Sequence, residues 1–201
     1  VGESDASAMA GLPELFPDLG EAWIVANVVQ YTGDSDLSDA TSSEFTLKGN
    51  KCGSTAEYCL SVDGYDVYAA TYVNSGTSEY NSSRISYGSS WSAPMVSGGV
   101  ALMAQAFPNH TSEQLVDRIL ASANNVWFTP EGNTTFTTHG NSVKHGYHST
   151  WGHGIPDFYA ALSPITSDGN PASMSLYTSS SIQSSKAASL GSSYIIPSTS
   201  F

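Results

Sequence analysis

The 201-residue sequence predicts an α/β fold, a parallel sheet flanked by helices, followed by a Ser-rich extended tail. Three observations predict it. An apolar, β-branched run, "EAWIVANVVQY" (21–31), follows a stretch punctuated by Gly and Pro and has the near-continuous hydrophobicity of a strand buried on both faces. Two later segments, 92–107 and 111–124, carry helical periodicity. From Ser163 onward the composition turns to Ser, with only Asp168 and Lys186 charged and too few apolar anchors for a core. These shifts divide the chain into a folded part, 1–165, and a linker or tail, 166–201.

The elements follow in order. After the strand at 21–31, residues 32–51 read as polar loop with short extended pieces, and "YCLSVDG" (58–64) and "YDVYAATYV" (65–73) as two short strands parted at Asp63-Gly64. Residues 74–84 read as a Ser/Asn-rich loop. "SAPMVSGGVALMAQAF" (92–107) places Met95, Val96, Gly99, Val100, Met103 and Phe107 at helical spacing, with Pro94 suited to the first turn. Gly98 and Gly99 each cost a helix about 1 kcal/mol relative to Ala. Their presence predicts close packing and a helix buried on all sides. Pro108 ends it. In the second helix, 111–124, Thr111 is the expected N-cap and Gln114 completes a capping box, with Leu115, Ile119 and Leu120 as the apolar stripe. Residues 125–150 read as loop or hairpin, and 155–162 as a third helix.

Composition narrows the function classes. A chain of this length buries roughly 70% of its unfolded surface as one domain. Eighteen acidic residues against six Lys plus Arg give a formal net charge of −12, a field that repels phosphates and excludes nucleic acid as an expected partner. Half of the acids precede Lys48, which reads as a well-hydrated surface. No run approaches the ~18 apolar residues of a membrane-spanning helix. Val1 does not open a signal peptide, so a secreted form would already have lost its targeting segment. "DSDLSDATSSE" (34–44) fails as a calcium loop, with Asp39 at the turn-glycine position and Phe45 at that of the bidentate Glu. Cys52 and Cys59 are too far apart for a CxxC motif; they read as a disulfide, which points to an oxidising compartment, or as two unpaired structural thiols.

The stretch "YGSSWSAPMVSGG" (87–99) raises the question of chemistry. A serine hydroxyl becomes a useful nucleophile when a base takes its proton and donors stabilise the oxyanion. A helix N-terminus supplies free N–H groups and a favourable dipole. Ser89 and Ser90 are therefore either helix caps or a nucleophile site, and the local pattern leaves both open. The G-x-S-x-G elbow is excluded, because Ser92 stands where its second glycine belongs.

"GSSWSAPMVSGGVALM" is similar to the subtilisin-like serine proteases, whose nucleophile lies in a G-T-S-x-[SA]-x-P pattern. Gly88, Ser90, Ser92 and Pro94 match it, and Ser89 replaces the threonine. The resemblance implies that Ser90 is the catalytic nucleophile. "WGHGIPDFYAAL" (151–162) resembles the segment that begins the family's closing helix. "NKCGSTAEYCLSVDG" (50–64) resembles a cysteine-paired segment of subtilases secreted as autotransporter passengers, with Val62-Asp63-Gly64 in place of Ala-Pro-Gly. "AGLPELFPDLGEAWIVANVV" (10–29) resembles the pocket-wall turn and the strand after it. On this likeness Gly11, Leu12, Pro13, Gly88 and Ser89 wall the substrate pocket. The Ser-rich tail resembles a linker toward an outer-membrane barrel, which implies a secreted or surface-displayed bacterial protein.

The family's triad runs Asp, His, Ser along the chain. All five histidines here, His110, His139, His145, His148 and His153, follow Ser90. "HGNSVKHGYHSTWGH" (139–153) fits no standard zinc spacing and reads as solvated loop histidines; no metal site is expected, and calcium, known in the family, finds no site here. The resemblance thus implies the C-terminal part of a catalytic domain, whose N-terminal portion would carry the Asp, the His and the oxyanion Asn. The expected activity is endopeptidase cleavage of protein or peptide substrates. Two alternatives remain: a subtilase-derived scaffold or adhesion module with a decayed triad, and an acidic binding domain of another α/β class. The sequons at Asn81, Asn109 and Asn133 are what a Ser/Thr-rich chain produces by chance.

Overall fold

The computed structural model describes residues 5–34, 37–72, 80–84, 87–138 and 142–163; the Ser-rich tail lies outside them. In chain order the elements are α1 (Leu12–Leu15), β1 (Val25–Tyr31), β2 (Phe45–Leu47), β3 (Cys59–Asp63), β4 (Tyr68–Tyr72), β5 (Tyr80–Arg84), α2 (Ser89–Ala106), α3 (Ser112–Ala121), β6 (Gly132–Phe136), β7 (Val143–Tyr147) and α4 (Phe158–Leu162). β1 is the centre of a three-stranded sheet. It pairs in parallel with β3, from Val25–Cys59 to Val29–Asp63, and antiparallel with β2. The sheet is therefore mixed: β2 comes from a short extended piece within 32–51 and forms an antiparallel edge.

Both faces of β1 are covered, as its unbroken hydrophobicity predicts. On one face Ala26, Leu60 and Val62 meet Val96 and Met103 of α2 and Leu115, Ile119 and Leu120 of α3. On the other, Val25 packs on the Cys52–Cys59 disulfide, and Val29 joins Phe45 and Trp127. The Phe45 and Trp127 rings stack at 3.8 Å, and Trp151 meets Trp127 edge-on. Asn27 ties this face to the 148–152 turn through Nδ2, which donates to the Thr150 carbonyl at 2.9 Å.

Helix α2 begins at Ser89, so Pro94 is its sixth residue and not part of the first turn. The run of serines ahead of Pro94 is itself helical. Gly99 packs as its cost predicts: a Cβ there would lie 1.7 Å from the Phe158 ring of α4. Gly98 does not, since nothing stands within 4 Å of its virtual Cβ. The helix is not buried on all sides. Met95 is 39% and Leu102 56% exposed, because the sheet, α3 and α4 cover only the stripe of Ser92, Val96, Gly99 and Met103.

Helix α3 carries the predicted capping box. Gln114 N donates to Thr111 Oγ1, and Thr111 N donates to Gln114 Oε1. The third helix starts at Phe158, three residues later than its pattern suggests, because Asp157 caps it by accepting from Ala160 N. Residues 80–84, read from composition as loop, pair with β4 as a hairpin; a partner strand overrides the weak β propensity of "YNSSR". Strand β4 starts at Tyr68 because the chain turns first, with Asp66 at φ 55°. β6 and β7 pair antiparallel as the second hairpin, from Gly132–Tyr147 to Phe136–Val143.

Candidate active site

The site assembles where the parallel pair ends. Gly64 follows β3, and its carbonyl accepts from Gly88 N at 3.3 Å, bracing the start of α2 against the strand end. The approach leaves no room for a side chain. A Cβ on Gly64 would lie 2.4 Å from Ser92 Oγ and 3.2 Å from the Gly88 carbonyl oxygen. Of the Val62-Asp63-Gly64 triplet, the glycine is thus the member that the geometry requires.

Gly88, in extended backbone, is the N-cap, and its carbonyl accepts from both Trp91 N and Ser92 N. Ser90 is the second residue of the helix and lies exposed. Its N–H belongs to the first turn, where no intrahelical acceptor exists. Its carbonyl lacks the usual i+4 partner, since that residue is Pro94. Among the described residues its Oγ makes no hydrogen bond, and neither Ser89 nor Ser90 caps the helix with its side chain. The capping reading of these two serines is therefore not what the structure shows. Ser92 points inward, is fully buried, and its hydroxyl has no protein partner among the described residues.

Beside this mouth, Tyr65 and Tyr87 stack at 5.2 Å, with Lys48 Nζ 4.6 Å from the Tyr65 ring centroid. The Asp63 carboxyl at the end of β3 is pushed up by partial burial, against the backbone N–H groups of Tyr65 and Tyr31 that favour its charge. The other expected pocket residues sit at α1: Gly11 precedes it and Pro13 is buried in it. No hydrogen bond joins Gly11, Leu12 or Pro13 to Gly88, Ser89 or Ser90 among the described residues.

None of the described histidines is bonded to Ser90. His110 packs on Phe107 past the far end of α2, and an 18-residue helix spans about 27 Å. His148 faces Glu131 at 3.4 Å. His145 and His153 are buried in contact with each other, which corrects the reading of 139–153 as solvated loop histidines. The hairpin and the 148–154 turn close over them, and composition alone does not report that. His139 lies outside the described residues. No cluster of three or more His, Cys, Asp or Glu side chains able to hold a metal occurs among the described residues. No described helix is long and apolar enough to cross a membrane.

Comparison with known proteins bears on this geometry. An extracellular serine protease of Serratia marcescens is 28% identical over 123 residues, covering 54% of this chain and 11% of that protein. The chain thus spans about a tenth of that relative's length. A solved structure, of the serine protease MycP1, described as an essential component of the type VII (ESX-1) secretion system, aligns at 19% identity with a TM-score of 0.35. That alignment covers 71% of this chain and 44% of the other, and at so low a score it carries no argument. The family model is the decisive match, since it covers residues 2–154. The chain belongs to the subtilase family.

Proposed function

We propose that this chain contributes the nucleophile of a secreted serine endopeptidase, and that Ser90 is that nucleophile. One observation carries the reading: within a subtilase, Ser90 presents an exposed, unbonded hydroxyl at the N-terminus of an 18-residue helix braced to the end of a parallel strand. In the proposed reaction Ser90 Oγ attacks the scissile carbonyl carbon while a histidine takes its proton. The tetrahedral oxyanion collapses to an acyl-enzyme, and the amine leaves with the proton returned by the histidine. Water then attacks the acyl carbon, the histidine again takes a proton, and Ser90 is restored. The free N–H of Ser90 is one donor to the oxyanion. An upstream asparagine is the second, and loss of one such donor costs about 3 kcal/mol in the barrier.

The histidine, the aspartate that orients it and the asparagine are assigned to a portion of the protease upstream of this chain. The support is that no described histidine reaches Ser90. The display of the protein by an autotransporter at the bacterial outer membrane is part of the same proposal, and so is the walling of the pocket by Gly11, Leu12, Pro13, Gly88 and Ser89. The absence of a base beside Ser90 among the described residues also favours a second reading, a scaffold or adhesion module derived from a protease. Fluorophosphonate labelling of the native protein, followed by peptide mapping, separates the two. Label on Ser90, abolished in Ser90→Ala, supports the endopeptidase; well-folded protein that takes no label would leave the scaffold.

A further inference from the structure

Two buried histidines make a contact that neutral rings cannot satisfy. His145 on β7 is 6% exposed, and His153, between Gly152 and Gly154, is fully buried. Their Nδ1 atoms lie 2.9 Å apart. On the outer sides, His145 Nε2 lies 2.9 Å from the Ala123 carbonyl oxygen, and His153 Nε2 lies 2.9 Å from the Glu57 carbonyl oxygen. A carbonyl oxygen only accepts, so each Nε2 must carry a hydrogen. Two neutral imidazoles bring one ring N–H each, and the carbonyls take both. The facing Nδ1 atoms are then two lone pairs at hydrogen-bond distance. Moving one hydrogen inward repairs that contact and sets a bare Nε2 against a carbonyl. Three contacts in a row need three hydrogens.

We propose that His145 and His153 form a buried proton-binding site, which takes one proton from solvent as the chain folds and shares it between the two Nδ1 atoms. The pair is a monocation at neutral pH. The bond so formed is charge-assisted, about twice as strong as a neutral one. It replaces a buried polar conflict that low-dielectric surroundings make costly. The Phe136 ring lies tilted against the His153 ring at 5.6 Å between centroids, and the Tyr147 ring meets it edge-on at 5.8 Å. Burial opposes charge on His145 and on His153, and the charge of His145 adds to that opposition at His153, so a second proton is excluded until about pH 3.

No carboxylate pairs with either ring among the described residues. From the disulfide loop, the Glu57 side chain accepts from Tyr147 Oη at 3.0 Å. From β7, Lys144 is exposed. From α3, Arg118 is directed to the Ala161 and Ser163 carbonyls, and Asp117 accepts from Thr138 Oγ1. At the hairpin edge, Glu131 faces His148. The site joins the continuous stretch of β7 and the 148–154 turn to the disulfide loop and the end of α3, so the proton holds together three stretches distant in sequence.

The test is histidine Cε1 hydrogen–deuterium exchange on the intact protein, read peptide by peptide by mass spectrometry from about pH 4 to 9. The expected result is one transition common to His145 and His153, with a midpoint above the ordinary value of about 6.5, and no second transition down to about pH 4. In His145→Gln the amide still donates to Ala123, but the facing Nδ1 is gone, and His153 should lose its transition and stay neutral throughout. Two rings neutral at pH 7 in the wild type, or a His153 titration unchanged in the variant, would overturn the proposal. The wild-type measurement decides even where the variant does not fold.

Discussion

Replacing Gly98 and Gly99 by alanine, one at a time, should move stability in opposite directions although the two residues are neighbours in α2. In helix propensity each substitution is worth about 1 kcal/mol in favour of alanine. At Gly98 nothing lies within 4 Å of the added methyl, so Gly98→Ala should stabilise by about 1 kcal/mol. At Gly99 the methyl would fall 1.7 Å from Phe158 Cε1 and 2.4 Å from Cδ1 and Cζ. A ring cannot give that much by a small adjustment and must swing out of its seat. Overpacking of this kind costs about 1–3 kcal/mol, and displacing a Phe forfeits up to a further 1.5–3 kcal/mol if its burial is complete. Phe158 is only partly buried, so the lower half of that range applies. After subtracting the propensity gain, Gly99→Ala should destabilise by about 1.5–4 kcal/mol. In a Phe158→Ala background the clash is gone, and the same change should stabilise by about 1 kcal/mol, giving a coupling of about 2.5–5 kcal/mol. Equilibrium urea unfolding of the four proteins and of Gly98→Ala measures these values, with the slope required to stay constant. If the two glycines respond alike, or the coupling is absent, the packing argument for α2 and α4 is wrong.

Other outcomes follow from the same geometry. Ser90→Ala should abolish fluorophosphonate labelling, whereas Ser89→Ala should still be labelled; mass spectrometry of the labelled peptide checks both. Ser92→Ala removes a buried hydroxyl without a protein partner and should be neutral or stabilising by up to about 1 kcal/mol in urea melts. Removing the Cys52–Cys59 disulfide, which closes a loop of sequence separation 7, should cost about 2–2.5 kcal/mol on chain-entropy grounds, read from the unfolding midpoint of the double alanine variant. The pH dependence has a definite sign below neutrality. Each unfolded histidine binds a proton near pH 6.5, whereas burial, reinforced by the charge already on the pair, keeps the second proton off His153 until about pH 3. Stability therefore falls as pH drops from 6.5 toward about 3, and falls again as pH rises through the pair's first transition, where the folded state gives up the shared proton; urea melts across the pH range read both limbs.

What was legible in the sequence was local. The run at 21–31 announced a strand covered on both faces through its own unbroken hydrophobicity, and the box at Thr111 and Gln114 announced a helix start because its two partners lie three positions apart. Gly99 signalled close packing without naming its partner, Phe158. Gly98 carried the same signal and packs against nothing, since composition cannot separate adjacent faces of one helix. Arg118 is buried over the Phe107 ring and donates to the carbonyls of Ala161 and Ser163. Its acceptors are 43 and 45 residues away, and no local pattern reports them. The histidines at 145 and 153 misled for the same reason, because their polar surroundings in sequence are replaced in space by Ala123 and Glu57. At the candidate site the serine motif was readable. The bracing role of Gly64 was not, since it depends on how β3 meets α2.

The seat of Phe158 on Gly99 lies nine residues from Ser90, about 13 Å along the helix axis. A helix transmits tilt as a rigid lever, so a swing of about 5° about that seat would carry Ser90 sideways by about 1 Å, a misplacement that can cost a catalyst roughly 100-fold in rate. On the proposed role of Ser90, packing between α2 and α4 would also be an alignment device, and small faults there should reach turnover before they reach the melting curve.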